Sequence, residues 1–301
     1  MQNRTPQLGR IGFRISATGS AGLDWPRLDA MWQQAGAHQV FAAGWTSDHL
    51  SDAGREHGGV AFEAFTTLAA LAHRIPGRHV GLAVASTTFR HPAIVAKAAT
   101  VLDNVTGGRF ILGLGAGWHE GEHNAFGIPL PPMRERFDRL EASLRVLRAL
   151  FGPEAAPGRG VTIADELFPL NGATNEPQPV RPGGPAIWLG GQGPRGIRLA
   201  VEHADGWPMP GNRPGDVEYF AAKREEIRRA LEAADRDPDA FAFAAQVDCG
   251  VSREQRATAL AVVRRFLEAG ASHVILGVPA SAGPEGMAAM AREVAEPLAD
   301  A

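Results

Sequence analysis

The sequence predicts a TIM (β/α)8 barrel, on three observations. Short apolar runs alternate with longer amphipathic stretches, the count of such pairs is eight, and 301 residues suit one barrel with an insertion. The strand-like runs lie at 8–15, 39–46, 79–85, 109–114, 186–190, 205–209, 241–248 and 273–278. The fifth and sixth are weak by themselves and are placed because they complete the count between Gly and Pro residues. Helices are predicted at 24–36, 62–74, 92–105, 134–151, 194–203, 214–235, 252–269 and 284–297. The clearest is 134–151, where Phe137, Leu140, Leu144, Leu147 and Leu150 or Phe151 fall on one helical stripe and Gly152-Pro153 ends it. Residues 152–185 break the alternation. Rich in Pro and Gly, they are predicted as an insertion between the fourth helix and fifth strand, with a short extended piece at 161–168 and a lid-like role. The whole of 1–301 is taken as a single domain.

Composition narrows the function. Hydrophobic residues make up 45% and charged residues 21%, as in an ordinary globular protein, and the net charge of −3 comes without a basic block, which argues against nucleic acid as a partner. No apolar run reaches membrane-spanning length and the first ten residues lack a signal-peptide core, so the expected place is the cytoplasm. Cys249 is the one cysteine, expected as a small buried hydrophobe and not a nucleophile.

Two motifs invite chemistry and fail on inspection. His119-Glu120-Gly121-Glu122-His123 matches H-E-x-x-H, yet Gly115, Gly117, Gly121 and Gly127 surround it, each glycine inside a helix costing about 1 kcal/mol. No third ligand follows, Phe126 stands where the extended zinc motif needs Gly, and the first strand ends Phe13-Arg14-Ile15-Ser16 rather than H-x-H, so no metal site is assigned. The segment Gly113-Leu114-Gly115-Ala116-Gly117-Trp118 has Trp where a dinucleotide fingerprint needs Gly or Ala, and it follows the fourth strand instead of the first. Glycines at a strand end instead let a flat ligand approach the backbone. Barrel sites lie at the C-terminal strand ends, which here carry Ser47-Asp48-His49, Ser86-Thr87-Thr88, the 113–118 glycines, Gly190-Gly191-Gln192-Gly193 and Trp207-Pro208.

The block 107–151, "GGRFILGLGAGWHEGEHNAFGIPLPPMRERFDRLEASLRVLRALF", resembles the signature of the bacterial-luciferase-like flavin and F420-dependent oxidoreductases, most of all the branch that uses the deazaflavin F420. "SDHL" at 47–50, the segments 63–75 and 79–109, and 175–207 agree in order. The resemblance is strong over about residues 40–210, and the rest follows by barrel pattern. It implies F420, or alternatively FMN, in the barrel mouth, and a non-prolyl cis peptide at Ala83–Val84 beside the ring.

It further implies His49 as a proton donor, with Asp48, Ser86, Ala116 and Gly117 contacting the cofactor. Gln192, Gly193, Arg195 and Gly196 match the family's phosphate loop, and Pro194 at the start of the next helix suits an anion site, with charge from Arg195 and Arg198. Trp118 stands where F420-dependent sugar-phosphate dehydrogenases carry a glutamate, which points to an apolar or aromatic substrate wall. Trp118, His119, His123 and Trp207 are the candidate substrate residues, while Arg90-His91-Pro92 is taken as helix initiation or an interface element. The expected activity is hydride transfer between F420 and a small organic substrate. The alternatives are an FMN-dependent monooxygenase using O₂ and a non-catalytic cofactor-binding protein. A homodimer is the expected assembly.

Overall fold

Eight parallel strands close on themselves when Val80 and Gly81 pair with Phe110 and Ile111. The computed structural model describes residues 8–16, 23–51, 60–211, 213 and 215–299. In chain order the elements are β1 (Ile11–Ser16), α1 (Trp25–Gly36), β2 (Ala43–Thr46), α2 (Ala64–Leu71), β3 (His79–Leu82), β4 (Ala85–Ser86), α3 (Pro92–Thr106) and β5 (Phe110–Gly115). Then come α4 (Glu120–Ala125), α5 (Met133–Leu150), β6 (Val161–Ile163), β7 (Leu170–Ala173), β8 (Ala186–Leu189), α6 (Pro194–His203), β9 (Gly206–Pro208), α7 (Val217–Ala233), β10 (Ala242–Asp248), α8 (Arg253–Glu268), β11 (His273–Pro279) and α9 (Gly283–Met290). The barrel order β3-β2-β1-β11-β10-β9-β8-β5 bears out the predicted TIM barrel.

The elements form for local reasons that the sequence carries. His91 caps α3, Pro92 opens it, and Gly107 in the left-handed region (φ 62°) ends it. Ser252 and Gln255 build a reciprocal capping box on α8. Leu140, Leu144, Leu147 and Leu150 of α5 are buried as one stripe, and Phe137 packs at its edge.

Large and small residues alternate across the barrel interior. Trp45 and Trp188 lie with ring centroids 4.9 Å apart, among Ala43, Ala186, Ala244 and Ile275. Gly12, Gly81 and Gly206 make room for them. A Cβ at Gly81 would lie 2.4 Å from the Trp45 ring, and one at Gly206 would lie 2.5 Å from the indole nitrogen of Trp188. His273 joins this layer, fully buried, accepting at Nε2 from the Trp45 N–H (3.0 Å) and donating from Nδ1 to the Gly9 carbonyl (2.7 Å).

Four expectations change. The predicted third strand divides into β3 and β4 around a cis Ala83–Val84 bond, the bond that the resemblance singles out. The extended piece within 161–168 is only β6, and its antiparallel partner β7 has no alternating pattern to announce it. The last helix is α9 followed by a π turn (Ala291–Ala295) and a 3₁₀ turn (Glu296–Leu298). Position 214, the predicted start of the sixth helix, lies outside the described residues, and the matching α7 begins at Val217.

The insertion 152–185 braces the outside of the barrel. Buried Asn175 donates to Thr100 of α3 and to the Leu150 carbonyl of α5, Asn104 reaches the Gln178 carbonyl, and Asp103 accepts from the Arg181 N–H. These ties run along the flank to α3 and α5, and Phe168 packs edge-on against His91 at the start of α3, ring centroids 5.1 Å apart.

Candidate active site

Glycines shape the floor of the mouth. The cis turn at Ala83–Val84 sets the Val84 side chain over the end of β5. A Cβ at Gly113 would lie 1.9 Å from the Leu82 carbonyl oxygen, and one at Gly115 would lie 2.9 Å from Val84. Gly190 faces the same Val84 side chain from β8. Ala83 is buried and Val84 half-buried, so the cradle is apolar.

Asp48 and His49 lie just past the end of β2 and face different partners. The Asp48 carboxylate is 1% exposed and takes both prongs of the Arg90 guanidinium, at 2.7 and 2.9 Å, together with the Ser86 backbone N–H at 3.0 Å. Its oxygens are therefore committed to tying β2 to the segment after β4. Arg90 also reaches Glu63, the cap of α2, at 2.6 Å, and these two acids hold its pKa above the ordinary arginine value against the opposing effect of burial. Arg90 is thus the brace of the mouth, a role beyond the helix start that its sequence suggests.

His49 Nδ1 lies 2.9 Å from Oε2 of Glu122, a carboxylate that is 1% exposed, and Glu122 Oε1 accepts from the Leu50 and Ser51 N–H groups at 2.8 and 3.0 Å. The H-E-G-E-H stretch is therefore no passive loop. It forms the short helix α4 with His119 as its cap, accepting at Nδ1 from the Glu122 N–H at 3.0 Å. Initial glycines and a side-chain cap permit one turn and a half where a long helix fails. His123 is buried. Its Nδ1 donates to the His119 carbonyl at 2.7 Å, so in the neutral ring Nε2 accepts from the Thr88 hydroxyl at 2.7 Å, and Thr88 in turn accepts from Ser86 at 2.6 Å. His123 thus supports Ser86 from below rather than standing at the lip.

Gly117 sits at φ 80°, and a Cβ there would come within 2.7 and 2.8 Å of the Thr88 and Ser86 hydroxyls. Beside it Ala116 is half-buried, and the Arg136 guanidinium holds the Gly117 carbonyl at 2.5 Å. Trp118 is 67% exposed, its ring edge-on to His49 (6.0 Å) and to His119 (4.9 Å), which leaves it free to wall a substrate. Trp207 is wholly buried and its indole N–H donates to the Gly191 carbonyl at 2.8 Å, so it props the loop after β8 from within and does not face the mouth.

That loop leads into α6 with Gly193 at the cap and Pro194 first in the helix. The opening N–H groups of a helix have no partner of their own, and no side chain caps these. A shallow cavity of about 380 Å³ opens here, lined by Met133, Arg134, Phe137, Gly193, Pro194, Arg195 and Gly196. Gly196 packs backbone to backbone on Gly191, and Gln192 accepts from the Tyr219 hydroxyl at 2.5 Å. Arg195 turns away from the loop toward α5, bonding Glu141 at 2.9 Å and Asp138 at 2.7 Å, and Arg198 pairs with Glu141 and Glu202. Bonds to Arg195 and Arg198 hold the Glu141 carboxyl below its usual range. The cation left at the cavity is Arg134, which has no ion-pair partner among the described residues and which no sequence pattern marks.

Sequence reasoning brings His49, Thr88, the 113–117 glycines and the loop at 190–196 to one mouth, reads Arg90 only as helix initiation or an interface element, and passes over Glu122 and Arg134. Strand alternation from Ser86 is the one local signal for Thr88. The others are long-range partners, 42 residues apart for Asp48–Arg90 and 73 for His49–Glu122. Among the described residues no group of three or more His, Cys, Asp or Glu side chains is placed to hold a metal ion.

A glycine-lined apolar cradle beside an imidazole–carboxylate pair, with helix N–H groups lacking a side-chain cap at one end, suits a planar redox cofactor that carries a phosphate. The chain belongs to the luciferase-like monooxygenase family, whose model matches residues 13–300. Its relatives and structural neighbours include F420-dependent enzymes and monooxygenases.

The phthiodiolone/phenolphthiodiolone dimycocerosates ketoreductase of Mycobacterium tuberculosis (strain ATCC 25618 / H37Rv) is 33% identical over 71% of this chain, which spans 58% of that protein's length. The F420-dependent glucose-6-phosphate dehydrogenase of Nakamurella multipartita is 31% identical over 78% of this chain and 66% of its own. In fold the chain is similar to an F420-dependent secondary alcohol dehydrogenase in complex with an F420-acetone adduct (TM-score 0.75, 19% identity, 95% of this chain and 98% of that one). It is also similar to the EDTA monooxygenase of Chelativorans sp. BNC1 (TM-score 0.77, 14% identity, 96% and 93%).

Proposed function

We propose that this protein is an F420-dependent oxidoreductase that moves a hydride between the deazaflavin and a small organic substrate of the alcohol–carbonyl type. The observation that carries it is the His49 side chain. It stands just past the C-terminal end of β2 in the mouth, with Nδ1 bound to a buried carboxylate and no partner on Nε2 among the described residues. The named activities of the two relatives, a ketoreductase and an F420-dependent dehydrogenase, agree with it.

When bound, the deazaflavin would supply the hydride chemistry, and the protein's part is orientation and proton handling. The cradle of Val84, Gly113, Gly115 and Gly190 would take the ring, and Ser86 with the Ala116–Gly117 backbone would hold its polar edge. The α6 N-terminus at Gly193–Gly196, with Arg134 beside it, would take the phosphate. Trp118 would wall the substrate on the apolar side. His49 would hold the proton that accompanies the hydride, a role for which imidazole is suited.

The test is turnover by His49→Ala, read from the deazaflavin's visible absorbance against a panel of alcohols and ketones. The loss expected is about 10² to 10⁴-fold with cofactor binding kept. Undiminished turnover would remove this mechanism. A second reading, an FMN-dependent monooxygenase, is favoured by the likeness in fold to the EDTA monooxygenase.

A further inference from the structure

Glu122 is more than a loop anchor. It is 1% exposed on α4 and divides its two oxygens between two tasks. Oε1 takes the backbone N–H groups of Leu50 and Ser51, which fixes the chain just past His49. Oε2 faces His49 Nδ1 at 2.9 Å. A carboxylate can only accept, so the proton of a neutral His49 ring must sit on Nδ1 and the lone pair on Nε2. Among the described residues, the other groups near this pair do not compete. His119 Nδ1, 3.8 Å from Oε2, already accepts from the Glu122 N–H, and Asp48 is bound by Arg90. Trp118 meets His49 only by ring contact, and His123 points at Thr88.

We infer that Glu122 is a positioning residue that sets the tautomer of His49 and leaves Nε2 as the proton-transfer atom in the mouth. The inference rests on the oxidoreductase reading above. With a bound deazaflavin as hydride acceptor, oxidation of a substrate alcohol would break its C–H and O–H bonds, form the carbonyl and pass the hydroxyl proton to Nε2. In reduction of a carbonyl the same Nε2–H returns it. The negative charge of Glu122 accompanies the imidazolium in both directions. The second glutamate of the H-E-G-E-H stretch thereby serves a histidine 73 residues earlier in the chain.

Nitrogen-15 NMR of the histidine rings tests this without cofactor or substrate, using His49→Gln to assign the signal. In the unmodified protein His49 is expected as the Nδ1–H tautomer. In Glu122→Gln the amide oxygen can keep the Leu50 and Ser51 bonds while the amide NH₂ faces Nδ1, so the ring should shift to the Nε2–H tautomer. His273, held by Gly9 and Trp45, should stay Nδ1–H in both and serves as the internal control.

An Nε2–H tautomer in the unmodified protein would overturn the inference, as would an unchanged tautomer in a folded Glu122→Gln. If that variant does not fold, the unmodified spectrum still decides. Adding F420 separates the two readings. No F420 binding with the expected tautomer would count against the proposed cofactor, whereas F420 binding with the wrong tautomer would count against Glu122 alone.

Discussion

Asp48 and Arg90 form a two-pronged ion pair at 2.7 and 2.9 Å that closes the mouth between β2 and α3, with side chains 1% and 16% exposed. A pair so placed contributes little compared with an apolar substitute, but breaking it strands a charge. Arg90→Met should therefore cost about 3–5 kcal/mol in chemical denaturation. The double change Asp48→Asn with Arg90→Met should recover much of that loss. Equal stability of the single and double variants would show that the pair is not coupled.

Two buried histidines make stability depend on pH. Burial is the leading cause that pushes His273 and His79 down to about 4, and Arg109 and Arg181 add to it at His79. The unfolded chain then binds more protons than the folded one between about pH 6.5 and pH 4. Stability from these groups is full above 6.5 and is lost as pH falls toward 4, by about 1.4 kcal/mol per unit for each histidine. Urea unfolding across that range checks this, and His273→Gln should lower the slope by about one proton. A flat profile would show that neither ring is held neutral.

Gly117→Ala should harm both fold and cofactor binding. The position has φ 80°, and the new Cβ would strike the Ser86 and Thr88 hydroxyls. A cost of about 1–3 kcal/mol is expected in thermal or chemical unfolding. Cofactor affinity, measured by fluorescence titration, should weaken by about tenfold or more, which corresponds to about 1.4 kcal/mol.

The phosphate end of the mouth yields a comparison between two arginines. Arg195 is occupied by Glu141 and Asp138, whereas Arg134 lines the cavity with no such partner among the described residues. Arg134→Ala should raise the dissociation constant of F420 by about tenfold and Arg195→Ala by less than about threefold. The reverse order would place the phosphate elsewhere.

Much of this was legible because it is local. Period and punctuation mark the barrel strands and helices to within a few residues, since caps such as Ser252–Gln255 and stops such as Gly107 lie inside the segments they bound. The short strands β8 and β9 follow from the count of eight. The hairpin β6–β7 does not, because it lies outside the barrel and Gly172 interrupts its pattern. The site divides in the same way. His49 and the β5 glycines are visible as strand-end residues, while their partners Glu122, Thr88 and Arg90 come from other elements. Length and composition mark 152–185 as an insertion, and its neighbours, the flanks of α3 and α5 and His91 at the start of α3, are long-range partners that no local pattern announces. Arg195 is a basic residue in the right loop, yet two acids on α5 draw it away.

Titration of the cofactor-free protein with F420 and, separately, with FMN tests the central claim most directly. Saturable one-to-one binding of F420 is expected, followed by a His49-dependent change in its absorbance when a suitable alcohol or ketone is present, with much weaker binding of FMN. Tight binding of FMN with none of F420 would contradict it and would favour the flavin monooxygenase reading.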